Sequence, residues 1–163
     1  MVLQIPAMVA AGLERSTAAT MAGTRGFAQL LGRLPLGRVL DAHPTRRVLV
    51  TAKLLVAAGA LLLAFSGNVV MALLFVIVGG VGIGAVSPLD GIYAREVLPS
   101  DDLGTLMGSM HFVGGLMSGV GPLLGALVID ATGRTESGLF VAFVSVVIGA
   151  MFLVTPRRRA RAR

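Results

Sequence analysis

The chain contains no cysteine and no tryptophan, and it has only one tyrosine and two histidines. Without cysteine there is no disulfide framework, no thiolate metal site and no cysteine nucleophile. Charged residues make up 13% of the 163 residues, which is about half the share found in ordinary soluble domains. This scarcity of charge also excludes an intrinsically disordered chain, because disordered chains are rich in charge and poor in apolar residues.

Apolar side chains are abundant instead. They account for 55% of the sequence, and 22 glycines come in addition. The mean hydropathy is +0.88. A small soluble domain leaves roughly a third of its chain surface in contact with solvent, so it could not hide this much apolar surface from water. The composition therefore predicts that the solvent of this chain is membrane lipid.

The basic residues give a net charge of +6, and their positions are uneven. Most of them flank apolar runs, and five of the 14 stand in the last seven positions, at Arg157, Arg158, Arg159, Arg161 and Arg163. Such flanking is typical of membrane topology rather than of nucleic-acid binding, for which the sequence has no base-reading motif. We expect no nucleic-acid partner and a basic cytoplasmic tail at 157–163.

Long apolar runs predict the helices. A membrane-spanning helix needs about 20 mostly apolar residues, and four runs approach or exceed this length, at 48–65, 69–93, 103–129 and 138–155. A fifth segment, 17–40, contains several arginines and is predicted as a membrane helix with one polar face. Residues 1–12 are apolar but too short to span. The predicted fold is an all-α polytopic membrane protein with five full transmembrane helices and one half-helix.

The distribution of positive charge predicts the orientation. If the loop around His43 is cytoplasmic, ten basic residues lie inside, including the five in the tail, and only Arg15 and Arg134 lie outside. Arg25 and Arg33 fall within a helix. This arrangement satisfies the positive-inside rule and predicts a cytoplasmic carboxyl terminus.

An internal repeat agrees with this layout. When the chain is shifted by 89 positions, 26–42 falls on 115–131, and six of the 17 positions then carry the same residue type. One copy ends on the predicted cytoplasmic side and the other on the opposite side. An inverted three-plus-three helix repeat predicts this relation.

The segment 32–47 resembles the loop between helices 8 and 9 of the major facilitator superfamily, with Gly37, Asp41, Arg46 and Arg47 as the motif. The segment 121–133 resembles the eleventh helix of the same superfamily. The resemblance covers the whole chain, from the second half of helix 7 to helix 12. It implies that 1–156 form a six-helix half-bundle, and that the chain is a fragment of a twelve-helix carrier or half of a split one.

Four polar residues are candidates for a substrate or ion pathway: Arg25, Gln29, Asp90 and His111. Arg25 is predicted about 12 Å below the outer surface, where an arginine is costly and suggests anion binding or a structural pair with a carboxylate. Gln29 follows it on the same helix face. His111 reaches a similar depth from the other side and could carry a proton, or it could be a packing residue. Asp90 is expected near the inner boundary, as a gate or coupling group or in a salt bridge with Arg95.

The resemblance implies secondary transport of a small solute by alternating access, with Gly37, Asp41, Arg46 and Arg47 at a cytoplasmic hinge. Arg25 favours an organic anion as the solute, while efflux of the multidrug type and a non-transporting scaffold or regulatory subunit are the alternatives. No cofactor or metal motif is present, and we expect no enzyme activity. The expected partners are membrane lipid, the solute, a coupled proton, and either an amino-terminal half or a second copy. The expected location is the plasma membrane.

Overall fold

The structure is a computed structural model, and it describes residues 4–65, 68–98 and 101–154. These residues form seven α-helices joined by short turns, and none of them forms a β-strand. The helices are α1 (Gln4–Ala10), α2 (Arg15–Arg33), α3 (Leu36–Ala42), α4 (Thr45–Ala64), α5 (Val69–Val97), α6 (Leu103–Thr132) and α7 (Thr135–Val154). The prediction of an all-α polytopic membrane protein is confirmed. The predicted basic tail, 157–163, lies outside the described residues.

Three helices are long and apolar enough to cross a membrane, judged by length and composition within the described residues: α4, α5 and α6. In α7, residues 137–153 form a shorter apolar helix. The predicted spans 48–65, 69–93, 103–129 and 138–155 thus fall on α4 to α7, with end positions that differ by a few residues. That the segment 17–40 crosses the membrane stays a prediction.

The segment 17–40 is divided between two helices. Leu34 still donates its backbone N–H to Leu30, but Pro35 has no N–H to donate and stands immediately before α3 as its N-cap residue. The chain resumes a helix at Leu36 and ends it at Ala42. Pro35 therefore separates the polar-faced helix α2 from the short helix α3, which bears the first part of the loop motif.

The central element is α5, which packs against α4 on one face and α2 on another. Four glycines make both contacts close. Gly79 and Gly82 face α4, and Gly80 and Gly84 face α2. A Cβ atom on Gly80 would lie 2.6 Å from the Cβ of Ala28, which is too close for two carbon atoms. The glycine-rich stretch of α5 is thus a packing surface.

The closest approaches join one backbone directly to another. A Cβ atom on Gly84 would overlap the backbone carbonyl of Gln29, and one on Gly32 would overlap that of Val81. Between α4 and α5, a Cβ atom on Gly59 would come within 2.6 Å of the Cα of Gly79. Small residues in membrane helices allow such contacts, which gain dispersion energy where lipid offers no hydrophobic driving force.

Two apolar clusters stabilise the bundle on either side of these contacts. One joins α1, α2, α4, α5 and α7 and includes Met8, Ala18, Phe75 and Val76. The other joins α3, α4 and α5 through Leu36, Leu49, Ala52, Ala85 and Leu89. The short helix α1 is thereby fixed to the longer ones, with Met8 fully buried.

Helix α6 differs from the others because most of its surface is exposed. Gly125 is its buried residue, and a Cβ atom on Gly138 of α7 would lie 3.0 Å from the Gly125 carbonyl oxygen. Large apolar side chains project outward elsewhere on α6, among them Phe112, Leu116, Leu123 and Leu127. The helix therefore contacts the bundle mainly through α7 and presents a wide apolar face.

We expect Gly84→Ala to destabilise the protein, because the new methyl group would overlap the Gln29 backbone and force α2 away from α5. The loss should be about 1–3 kcal/mol, as for other overpacked interiors. Thermal unfolding in detergent, followed by circular dichroism, measures it. The matched control is Gly119→Ala on α6, where nothing lies within 4 Å of the new atom. Equal melting temperatures for the two variants would contradict the proposed role of Gly84.

Candidate functional site

A cleft of about 360 Å³ lies between α5 and α6. Two of the predicted pathway residues, Asp90 on α5 and His111 on α6, line it. Its full lining consists of Ser87, Pro88, Asp90, Gly91 and Ala94 from α5, and Met107, Met110 and His111 from α6. The cleft therefore combines one carboxylate, one imidazole and one hydroxyl with thioether and small apolar groups.

Asp90 forms an ion pair with Lys53 of α4, with 3.3 Å between the Asp90 Oδ1 and the Lys53 Nζ. The alternative that Asp90 pairs with Arg95 is wrong. Five residues along an α-helix correspond to a rotation of about 140°, so Arg95 points away from the face that bears Asp90. The Asp90 side chain is 46% exposed and that of Lys53 is 25% exposed. Asp90 thus joins α4 to α5 while remaining open to the cleft.

His111 has a defined tautomer. Its Nδ1 lies 2.8 Å from the backbone carbonyl oxygen of Met107, one helical turn earlier. Because a carbonyl oxygen can only accept, the Nδ1 atom bears the proton and donates it. In the neutral ring, the Nε2 atom then has a free lone pair. His111 is exposed in this chain, and its role as a proton carrier or as a hydrogen-bonded packing residue stays a prediction.

Arg25 lies elsewhere, inside the bundle between α1, α2 and α5, with only 4% of its surface exposed. One terminal nitrogen, Nη1, donates to the side-chain oxygen of Gln4 at 2.6 Å. The guanidinium carbon lies 5.8 Å from the centroid of the Phe75 ring, within range of a cation–π interaction. Arg25 therefore links three helices through an amide and an aromatic ring.

Arg25, Gln29 and Arg33 share one face of α2, as their four-residue spacing predicts, and this face packs against α5. Arg33 donates from Nε to the backbone carbonyl oxygen of Gly84 at 3.3 Å. That carbonyl would normally accept from residue 88 of the same helix, but residue 88 is a proline without an N–H. Arg33 thus satisfies an acceptor that Pro88 leaves free.

The four residues of the loop motif lie around the junction of α3 and α4. Gly37 and Asp41 are exposed on α3, and Arg46 and Arg47 lie in the first turn of α4. Arg46 donates from Nε to the backbone carbonyl of Leu153, near the end of α7. A helix end carries free carbonyls and a partial negative charge, so this contact favours the arginine.

Neighbouring groups reinforce the same end of the bundle. Thr45, at the start of α4, donates its hydroxyl to the Glu96 carboxylate in the last turn of α5. The start of α4 and the ends of α5 and α7 therefore meet on one side, as the predicted topology requires.

Sequence reasoning missed the roles of Lys53, Phe75 and Met107. Each acts across two helices, and single-helix periodicity does not give the rotation of one helix relative to another. One available indication was the charge of Lys53 inside an apolar run, since a buried lysine needs a partner. Another was the spacing of Met107, Met110 and His111, which puts the three on one helix face.

Within the described part of the chain, no three His, Cys, Asp or Glu side chains come close enough together to hold a metal ion. The cleft therefore offers no site of the kind that divalent hard cations prefer, which is built from several carboxylates. Its polar groups are few and are spread over two helices.

The sequence matches the Major Facilitator Superfamily over residues 1–163. Because this match extends over the whole chain, the protein belongs to that superfamily, and the resemblance inferred from the loop motif is confirmed. The superfamily consists of membrane transporters. Together with the apolar helices, membership makes the chain an integral membrane protein.

Two curated relatives are similar to parts of the chain. Multidrug resistance protein 3 of Bacillus subtilis (strain 168) is 27% identical over 117 residues, which cover 72% of this chain and 22% of the relative. An uncharacterized MFS-type transporter of Methanocaldococcus jannaschii is 24% identical over 125 residues, which cover 77% of this chain and 32% of the relative. The chain thus spans about a fifth to a third of the length of these relatives. No solved structure matches it.

The surroundings of Arg25 predict a structural role for it. Arg25→Ala removes the donor to Gln4 and the cation over Phe75, and it leaves a cavity, so the free energy of unfolding should fall by about 2–4 kcal/mol. Arg25→Lys keeps a charge and should lose less. Thermal unfolding in detergent measures both variants, and Arg15→Ala, an exposed position at the start of the same helix, is the control.

A different result would indicate that Arg25 binds the solute. If Arg25→Ala unfolds at the wild-type temperature and is expressed normally but no longer transports, its cost in the membrane is offset by a solute anion. Loss of stability with normal transport per surviving molecule would support the structural role.

Proposed function

We propose that the chain is part of a secondary active transporter that moves a small solute by alternating access, with the cleft between α5 and α6 on the solute or ion path. The observation behind the proposal is the cleft itself, where the carboxylate of Asp90 and the imidazole of His111 open into one space. Charged groups within a membrane protein are costly, and they usually mark such a path. Both groups can exchange a proton, so a proton is the proposed coupling ion.

The contacts of Arg25 affect the choice of solute. An organic anion would have to replace Gln4 as the partner of the Arg25 guanidinium, which is 4% exposed. The accessible charge in the cleft is instead the carboxylate of Asp90. This arrangement favours the alternative of multidrug-type efflux over an anion carrier. The name of the Bacillus relative, a multidrug resistance protein, supports the same alternative.

A scaffold or regulatory subunit without transport activity remains the rival from another class. A scaffold would gain nothing from an ion pair and a free imidazole beside an open cleft, because both cost free energy in a membrane. The rival therefore predicts that Asp90 and His111 can be made apolar without effect.

We propose that the exposed face of α6 is covered in the working carrier, by an amino-terminal half or by a second copy of the chain. Phe112 is 71% exposed and Leu123 61% exposed. The same helix carries His111, which is proposed to lie on the solute or ion path. The curated relatives are three to five times longer than the part matched here, which leaves room for such a half. The isolated chain is then expected to transport only as a dimer, if at all.

The hinge residues Gly37, Asp41, Arg46 and Arg47 are proposed to lie at the cytoplasmic surface of the plasma membrane. Arg46 supports this role, because its bond to the Leu153 carbonyl connects the loop to the end of α7. Breaking this bond would remove one of the contacts that hold the loop to the bundle.

Orientation is tested with a reporter that is active only in the cytoplasm. Because ten basic residues lie on the predicted inner side and two on the outer side, fusions after His43 and after Arg163 should be active. A fusion after Gly67 should be silent. Activity after Gly67 together with silence after His43 would invert the topology.

Transport is tested in liposomes that contain the purified chain and a pH-sensitive dye. A panel of organic cations and organic anions is added in turn, and the proton flux driven by each is recorded. We expect flux with at least one solute at protein densities that allow dimers, and loss of this flux in Asp90→Asn. The matched control is Glu14→Gln, an exposed acid far from the cleft in sequence and on another helix junction.

Two outcomes would contradict the proposal. Flux that Asp90→Asn and His111→Gln leave unchanged would remove the cleft from the path. If no solute drives flux even after the chain is joined to an amino-terminal half from a relative, the scaffold alternative is favoured.

A further inference from the structure

The α6 side of the cleft has an arrangement of donor atoms that solute transport alone does not require. Met107, Met110 and His111 all line the cleft. Met107 precedes Met110 by three residues and His111 by four, so both lie on the side of the helix that bears Met107. Two thioether sulfurs and one imidazole thus open into a single space.

The His111 ring is oriented in the manner of a metal ligand. Histidines that bind metals usually donate the proton of one ring nitrogen to a carbonyl or carboxylate, which fixes the tautomer and frees the other nitrogen. His111 donates from Nδ1 to the Met107 carbonyl oxygen at 2.8 Å, so Nε2 is free to coordinate. The partner is a backbone atom, so this orientation persists when the Met107 side chain moves.

Both walls of the cleft fit a small cation. The Met107 methyl carbon, Cε, would lie 3.8 Å from a Cβ atom on Gly91, so this side chain reaches across to α5 at a position without a side chain. On the α5 wall, the Asp90 carboxylate is 46% exposed, and Lys53 contacts its Oδ1 atom. The wall opposite the three neutral donors therefore carries a carboxylate that is paired with a lysine.

The donor types select the metal. Thioether sulfur is a soft ligand that suits Cu(I), whereas hard cations prefer carboxylate and carbonyl oxygens. The described residues hold no cluster of three His, Cys, Asp or Glu side chains, so the ordinary ligand set of Zn²⁺ or Ca²⁺ is not available there.

We propose that this cleft is a binding site for a soft monovalent metal ion, Cu(I), with Ag(I) as its chemical analogue. The ligands are the sulfur atoms of Met107 and Met110 and the Nε2 atom of His111. The inference that the site binds Cu(I) rests only on the residues that line the cleft. That the metal ion is also a transported solute rests on the proposed function.

The test is a competition for Cu(I) between the purified full-length chain in detergent and the coloured chelator bicinchoninate, without oxygen. We expect one Cu(I) per chain, and at least about tenfold weaker binding in Met107→Leu, Met110→Leu and His111→Gln. Met117→Leu is the matched control, because Met117 lies on the same helix and is 54% exposed, against 52% for Met110, but does not line the cleft.

X-ray absorption by the Cu(I)-loaded wild-type chain identifies the atoms bound to the metal ion directly. It should show sulfur and nitrogen neighbours, and the sulfur contribution should fall in Met110→Leu. The proposal is overturned if the chain takes no Cu(I) from the chelator, if the copper has only oxygen and nitrogen neighbours, or if Met117→Leu weakens binding as much as Met110→Leu does.

Liposome uptake of Ag(I) separates this site from the proposed function. Binding with the expected variant pattern but without uptake would support the site and leave the metal outside the transported solutes. Proton flux with an organic solute, together with absence of Cu(I) binding, would support the transporter and reject the metal site.

Discussion

The contact between the backbones of α2 and α5 is the constraint on which the other interactions depend. Lipid supplies no hydrogen bonds, so the carbonyl of Gly84, left free by Pro88, needs a donor from within the protein. Arg33 can reach it only because Gly32, Gly80 and Gly84 let the two helices touch. The same closeness encloses Arg25 between α2, Phe75 and α1. A wider separation would expose Arg25 and leave the Gly84 carbonyl without its donor.

Three charged side chains in the described part of the bundle each connect two helices. Lys53 joins α4 to α5, Arg33 joins α2 to α5, and Arg46 joins α4 to α7. Several partners are neutral oxygens rather than carboxylates. A cation bound to a neutral acceptor keeps its charge, whereas an ion pair such as Lys53 and Asp90 cancels it.

The sequence predicted the helices well and the contacts between them poorly. Hydropathy located α4 to α7 because apolar runs of that length are rare outside membrane-spanning helices. It treated 17–40 as one helix because the effect of Pro35 depends on whether neighbouring groups can replace the lost hydrogen bond. The stripe of Arg25, Gln29 and Arg33 was predicted from spacing, yet spacing alone did not distinguish a packing face from a cavity face.

Asp90 shows the same limit for the candidate site. Its depth in the helix was predictable, but its partner was not, because Lys53 precedes it by 37 residues on a different helix. Choosing between Lys53 and Arg95 requires the rotation of α4 relative to α5. That rotation is set by the fit of Gly59 against Gly79 and of Gly82 against Val56, at the level of single atoms. The pairing of charges is thus a consequence of glycine packing.

The slight attachment of α6 has a mechanical consequence. Its firm contact is the approach of Gly125 to Gly138 near one end, while the opposite end, which carries Met107 and His111, has few neighbours on α5. A helix that is packed near one end and makes few contacts at the other can rotate about its packed end at little cost. Little free energy is therefore needed to change the distance between α5 and α6 at the cleft. A ligand that contacts both helices would restrict this movement of α6.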